Sequence, residues 1–241
     1  MTPMLIQQRD RDLLIRLFAG KLVTPVRLMV FTQNQTGLTL PLHVTCQWCR
    51  DTVALTQELA GLSDKISLEV HDFLTEKDLA DSLGIARIPA VVPGGVDRPR
   101  IRFYGIPAGY EFTALVEDIV DLSTGTTGLS AKTKERLRRL TADVHIQVFG
   151  TPTCPYCPRA VRIAHQMAME SSRVRADAVD ATEFPHLAQK YQVMGVPKVV
   201  INETTAFEGA LPESAFLLNV LSAAGELLPE EKAQFDALRR S

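Results

Sequence analysis

Apolar positions in this chain fall into short β-branched runs and longer helical stripes, and the two kinds alternate in the same order twice. Val26-Arg-Leu-Met-Val-Phe31 and Val144-His-Ile-Gln-Val-Phe149 predict strands, being rich in residues that fit a pleated, buried surface. Each follows a helical pattern, residues 7–19 stopped by Gly20 and residues 131–140 with Ser130 placed as N-cap. Each precedes a second helical stripe, of which Val161, Ile163, Ala164, Met167 and Ala168 read as a core face. Further strands are expected over 66–73 and 174–179, then a short helix, then a strand led by a proline: Pro89 before Ala90-Val91-Val92, Pro197 before Lys198-Val199-Val200. A last strand with a glycine turn (Phe103-Tyr-Gly105, Phe207-Glu-Gly209) and a closing helix (111–122, 213–224) complete each copy. Strands alternating with helices and ending in a hairpin predict an α/β fold, each copy a mixed central sheet flanked by helices.

The copies keep register. An offset of 108 takes Cys46 to Cys154, Asp72 to Asp180, Leu79 to Leu187, Ala80 to Ala188 and Pro89 to Pro197 without a gap. That is a tandem duplication, with units expected at 1–124 and 129–241. The stretch between them, Ser123-Thr-Gly-Thr-Thr-Gly-Leu-Ser130, is small and polar, as a boundary should be. One difference interrupts the likeness: 4 residues separate Phe149 from Cys154, whereas 14 separate Phe31 from Cys46. The insertion, about 33–44, alternates Leu38, Leu40, Leu42 and Val44 with polar residues and Pro41, which predicts an edge strand or flap before Cys46. Past Gly225, a short helix opening at Pro229 carries Phe235 and Leu238 on one side and is expected to dock on the second unit.

At 241 residues the chain is long enough for two cored domains, and 46% hydrophobic with 22% charged residues is a globular composition. A formal net charge of −2 leaves no basic excess for phosphates, so neither a nucleic-acid nor a membrane-surface partner is expected. The first dozen residues turn charged before an apolar run of signal-peptide length, and no stretch approaches a membrane span. A cytoplasmic location is therefore expected, where paired cysteines more often do redox work or bind metal than staple a fold.

The four cysteines form two CxxC pairs, Cys46-Gln47-Trp48-Cys49 and Cys154-Pro155-Tyr156-Cys157. Each follows a strand and opens a helical pattern. A cysteine at a helix N-terminus meets unpaired N–H groups and the positive end of the helix dipole, which favour its thiolate. A second cysteine one turn on lies within bonding reach, and Pro155 falls where a helix start tolerates proline. The competing reading, one zinc held by four thiolates, favours pairs about 15–20 residues apart. Here 104 residues intervene, so no metal is assigned. Trp48 and Tyr156 can contact substrate or merely be half-buried beside the sulfurs. His43, His145 and His165 read as strand- or helix-face residues, Asp72 and Asp180 as polar strand ends, Arg50 and Arg159 as helix surface.

With Thr151-Pro-Thr-Cys154-Pro-Tyr-Cys157-Pro158, the later Gly195-Val-Pro-Lys198, and Tyr104-Gly-Ile-Pro-Ala-Gly-Tyr-Glu-Phe112 in the first copy, nearly the whole chain resembles the glutaredoxin-like protein disulfide oxidoreductases of archaea and bacteria. The resemblance implies two tandem thioredoxin-like folds and thiol–disulfide exchange on protein disulfides. It implies Cys154 and Cys46 as attacking residues, Cys157 and Cys49 as resolving residues, and cis prolines at Pro197 and Pro89. Val196 and Ile88 would then offer their backbones to substrate beside Tyr156 and Trp48. No cofactor is called for. The expected direction is reduction, with electrons from a flavoprotein resembling thioredoxin reductase. The alternative is an electron relay or docking module for a peroxidase system in which one unit turns over; a zinc-binding structural protein ranks below both.

Overall fold

The computed structural model describes residues 5–33, 46–95 and 99–238. The insertion expected over 33–44, with Leu38, Leu40, Leu42, Val44 and His43, lies outside the described residues save Gln33. The chain groups into two compact units, one of residues 1–107 and 115–126, the other of residues 108–114 and 127–241.

In the first unit, helix α1 (Gln8–Lys21) leads into β1 (Val26–Thr32), then α2 (Cys49–Ala60), β2 (Ile66–Asp72), α3 (Lys77–Ser82), β3 (Ala90–Pro93), β4 (Ile101–Tyr104) and α4 (Tyr110–Thr124), whose opening residues 110–114 group with the second unit. Strand β1 is central: β2 joins it in parallel, with Phe31 opposite His71, and β3 antiparallel, with Phe31 opposite Ala90; β4 then pairs β3 antiparallel. Leu28, Met29, Val30 and Phe31 are all buried, so both faces of the central strand are covered, which is why it reads as an unbroken apolar run. Gly20 does not end α1 as expected; the helix runs through it to Lys21.

The second unit repeats the plan with α5 (Ala131–Arg138), β5 (Val144–Gly150), α6 (Cys157–Glu170), β6 (Val174–Asp180), α7 (Pro185–Lys190), β7 (Lys198–Ile201), β8 (Thr205–Glu208) and α8 (Glu213–Ala224). Central β5 takes β6 in parallel and β7 antiparallel, and β7 takes β8 antiparallel. Of the expected stripe on α6, Val161, Ala164, Met167 and Ala168 are buried and Ile163 half-buried. Ser130 caps α5 by accepting the Thr133 N–H at 3.2 Å, and Glu213 holds that serine through its N–H and hydroxyl at 3.0 and 2.7 Å. The last helix, α9 (Pro229–Leu238), docks on this unit through buried Phe235 and a two-pronged pair of Arg136 with Glu231, at 2.6 and 2.9 Å. That guanidinium, well shielded from water, holds the Glu231 carboxyl below its ordinary range.

Candidate active site

Strand β5 brings the chain to the second site and α6 carries it away. Between them the Cys154 N–H donates to the Thr151 carbonyl at 3.1 Å, closing a tight turn. Helix α6 starts at Cys157 with Tyr156 as its cap, and the proline in its first turn is Pro158, so Pro155 stands before the helix rather than at its first position. In the first unit α2 likewise starts at its second cysteine, Cys49, although Gln47 replaces the proline. The turn between the paired sulfurs, not the proline, sets where each helix begins.

Both pairs are disulfides, Cys46–Cys49 and Cys154–Cys157. The helix end still reaches the first sulfur of the second pair, because the Cys157 N–H donates to Cys154 Sγ at 3.1 Å. No such contact from Cys49 to Cys46 occurs among the described residues; the Cys46 N–H instead donates to Gln33 Oε1 at 3.1 Å. The Ile88–Pro89 and Val196–Pro197 bonds are cis. Cys154 Sγ lies 3.8 Å from the Val196 carbonyl oxygen, so that backbone stands beside the sulfur. Pro89 and Pro197 are buried, Ile88 and Val196 half-buried. Cys154 is only 8% exposed and Cys157 fully buried, whereas Tyr156 is 70% and Trp48 38% exposed.

A carboxyl group with no signature in the sequence pattern sits behind the second pair. Glu111, at the start of α4 within the second compact unit, is 3% exposed, and its Oε1 has no hydrogen-bond partner among the described residues. It is held there by Gly109, whose φ of +59° and missing side chain let the backbone pass so close to Pro152 that a Cβ would stand 2.3 Å from the Pro152 oxygen. The Tyr110 N–H donates to that same oxygen at 2.9 Å. Gly150 completes the arrangement: a Cβ there would lie 2.6 Å from Glu111 Oε1 and 3.4 Å from Cys157 Sγ, so carboxyl and sulfur flank one bare backbone position. Burial, reinforced by the negative charges of Asp180 and Glu183, pushes the Glu111 pKa up to about 8. In one dimension this residue looks like any acidic opening of a helix, and Gly109 two positions earlier is the only local sign.

The remaining polar residues take structural roles. Asp180 accepts the Thr182 N–H at 2.8 Å and its hydroxyl at 2.6 Å, and Asp72 accepts from Leu74 and Thr75 backbone at 3.1 and 2.9 Å; both organise the turn after their strand. His145 pairs with buried Asp177 at 2.6 Å, and His165 lies on the buried face of α6. Arg50 and Arg159 are exposed. Among the described residues no group of three His, Cys, Asp or Glu side chains is placed to hold a metal ion, and no helix is long and apolar enough to cross a membrane.

Comparison with known proteins gives the same picture from outside. Residues 144–222 match the family model described as a thioredoxin domain. The solved structure of a protein disulfide oxidoreductase from Aeropyrum pernix k1 superposes with a TM-score of 0.82 at 35% identity, covering 94% of this chain and 97% of that one. The alkylhydroperoxide reductase component AhpF of Enterococcus faecalis (V583) superposes with a TM-score of 0.79 at 26% identity, over 90% of this chain and 99% of that one. Among curated proteins, the F component of alkyl hydroperoxide reductase from Xanthomonas campestris pv. phaseoli is 29% identical over 64% of this chain and 27% of its own length. The chain spans about a third of the length of the curated relatives it matches, 27% and 35% of the first two.

Proposed function

Because this chain belongs to the protein disulfide oxidoreductases of the thioredoxin superfamily, two tandem thioredoxin-like folds that exchange dithiols with disulfides, we propose that its second pair reduces protein disulfides, with Cys154 attacking and Cys157 resolving. The observation that carries this assignment is the layering at the site: Cys157 N–H on Cys154 Sγ in front, Val196 backbone to one side, Glu111 behind Cys157. In the reduced protein the Cys154 thiolate, stabilised by the helix-end N–H, attacks one substrate sulfur and expels the other as a thiolate that takes a proton from solvent. Where Glu111 is ionised, a fraction that grows as pH approaches 8, Cys157 then loses its proton to that carboxylate and attacks Cys154 Sγ, expelling the second substrate thiolate and closing the disulfide. A carboxyl with a pKa near 8 is close to a thiol's usual 8.5, so the proton moves either way at little cost. When the pair is re-reduced, Glu111 returns the proton to the Cys157 thiolate.

The substrate's main chain is assigned to the strip beside Val196 and Pro197, flanked by Tyr156; Ile88, Pro89 and Trp48 are the corresponding residues of the first pair, Cys46 and Cys49. A flavoprotein resembling thioredoxin reductase is assigned as electron donor, in the cytoplasm. A second reading is favoured by the likeness to the F component of alkyl hydroperoxide reductase: the chain relays electrons to a peroxidase. Reduced protein offered an unrelated disulfide-bonded protein decides between them. Turnover that Cys154→Ser abolishes, with Cys157→Ser caught as a mixed disulfide on Cys154, supports the reductase; failure on such proteins with rapid transfer to a peroxidase supports the relay.

A further inference from the structure

The loops that lead into Pro89 and Pro197 share one register and differ in chemistry. At the offset of 108, Ala86-Arg87-Ile88 of the first repeat corresponds to Met194-Gly195-Val196 of the second. Arg87 puts a cation two positions before its proline, with its guanidinium 4.6 Å from the Tyr104 ring centre. The second site has a bare position there, since a Cβ on Gly195 would meet nothing within 4 Å. In the segments that build this site, three large side chains are turned to solvent where a protein surface usually spares them: Met194 is 91%, Tyr156 70% and Tyr110 52% exposed. Each is tied to the reacting sulfur. Tyr156 is two residues from Cys154, Met194 two residues from the Val196 carbonyl that stands 3.8 Å from Cys154 Sγ, and Tyr110 donates its N–H to Pro152, two residues before Cys154.

We propose that the second site selects disulfides whose cysteine is flanked by bulky apolar residues, with Tyr110, Tyr156 and Met194 reading those flanks and Gly195 leaving the room that admits them. The occupant is an extended stretch of a client protein whose apolar residues are uncovered, the state in which a buried disulfide becomes reachable. A thioether and two phenol rings offer adaptable, largely apolar contact that needs no single partner shape. The backbone beside Val196 supplies strand-like pairing common to any sequence, so discrimination falls to the side chains. The first site, with Arg87 in place of the opening, is not built for the same flanks.

This inference rests on the reductase reading, and the experiment separates the two. The full chain carrying Cys46→Ser and Cys49→Ser is reduced and mixed with matched peptides, each with one internal disulfide and differing only in having Leu and Phe or Asp and Glu beside the cysteines. The ratio of their second-order exchange rates is read by rapid mixing. The expected ratio is about tenfold or more in favour of the apolar peptide, the size that partial burial of one or two such side chains supplies. Met194→Gln combined with Tyr156→Ser is expected to bring the ratio to within about twofold of unity, the scale of an unselective surface. Gly195→Arg is expected to turn it toward the acidic peptide, by a margin that shrinks as salt is raised. Equal rates for both peptides in the parent, or an unchanged ratio in the variants, overturn the inference and leave the reductase reading intact. If no peptide reacts, the reductase reading falls and takes the inference with it.

Discussion

A carboxyl group whose pKa is raised from 4.5 to about 8 changes what pH does to this protein. Folding keeps a proton on Glu111 that the unfolded chain releases above pH 4.5, so the folded state binds more protons throughout that window. Stability therefore falls as pH rises from about 4.5 to about 8 and levels off above, where both states are ionised. Glu111→Gln removes that slope. In urea titrations of the oxidised protein the variant should gain on the parent with rising pH, by an amount on the order of a few kcal/mol at pH 8. The same substitution should slow release of substrate from Cys154 by roughly a hundredfold, the usual scale for losing a placed proton acceptor, and remove the limb of the pH–rate profile near 8. A parallel pH dependence of stability in parent and variant would sink the assignment. The cysteines are legible in the sequence because their chemistry demands a fixed local spacing, and Pro197 because the repeat marks it. Glu111 is not, since it reaches Cys157 from 46 positions earlier in the chain and its burial comes from tertiary packing alone.

Elements are legible wherever periodicity is strong, and the pattern misleads where a glycine or proline looks like punctuation. Gly20 has the look of a helix stop, yet α1 passes through it with open space where a Cβ would sit, so its freedom is unused. Gly20→Ala is accordingly expected to stabilise by about 0.5–1 kcal/mol. Gly109 is the opposite case. Its φ of +59° and the Pro152 oxygen 2.3 Å from where a Cβ would sit both exclude a side chain. Gly109→Ala should cost about 2 kcal/mol or more, and should also lower exchange at the second site, because moving that backbone moves Glu111. Thermal melts of the two alanine variants test this directly: similar shifts in the same direction would mean that the passage beside Pro152 is not what holds the segment. Ser130→Ala supplies a third case, with a loss of about 1 kcal/mol for the α5 cap.

At the scale of the whole molecule, duplication has preserved two scaffolds but not two equal sites. An accessible Cys154 and a covered Cys46 would be the simplest ground for ranking them, and the exposures do not support it: Cys154 is 8% exposed while Cys46 is half-buried. Other asymmetries rank the pair. The Cys157 N–H reaches Cys154 Sγ at 3.1 Å, and among the described residues Cys46 receives no equivalent donor from its helix end. A backbone donor to the sulfur favours the thiolate, so Cys154 should be the stronger nucleophile near neutral pH. The buried carboxyl behind Cys157 is also not duplicated. In the register that matches Phe103-Tyr-Gly105 to Phe207-Glu-Gly209, the second repeat carries Ala215 at the position of Glu111. Finally, Arg87 stands in the first site's loop where the second site is open at Gly195. Cys154→Ser should therefore abolish most reduction of protein disulfides, and Cys46→Ser should leave most of it. Iodoacetamide trapping across pH adds an independent readout: the Cys154 thiol should be alkylated at lower pH than Cys46 in chains where the other pair is replaced by serine. Equal loss of activity in the two variants, with equal alkylation profiles, would mean that the pairs act in series and that the residues inserted before Cys46 belong to a working site.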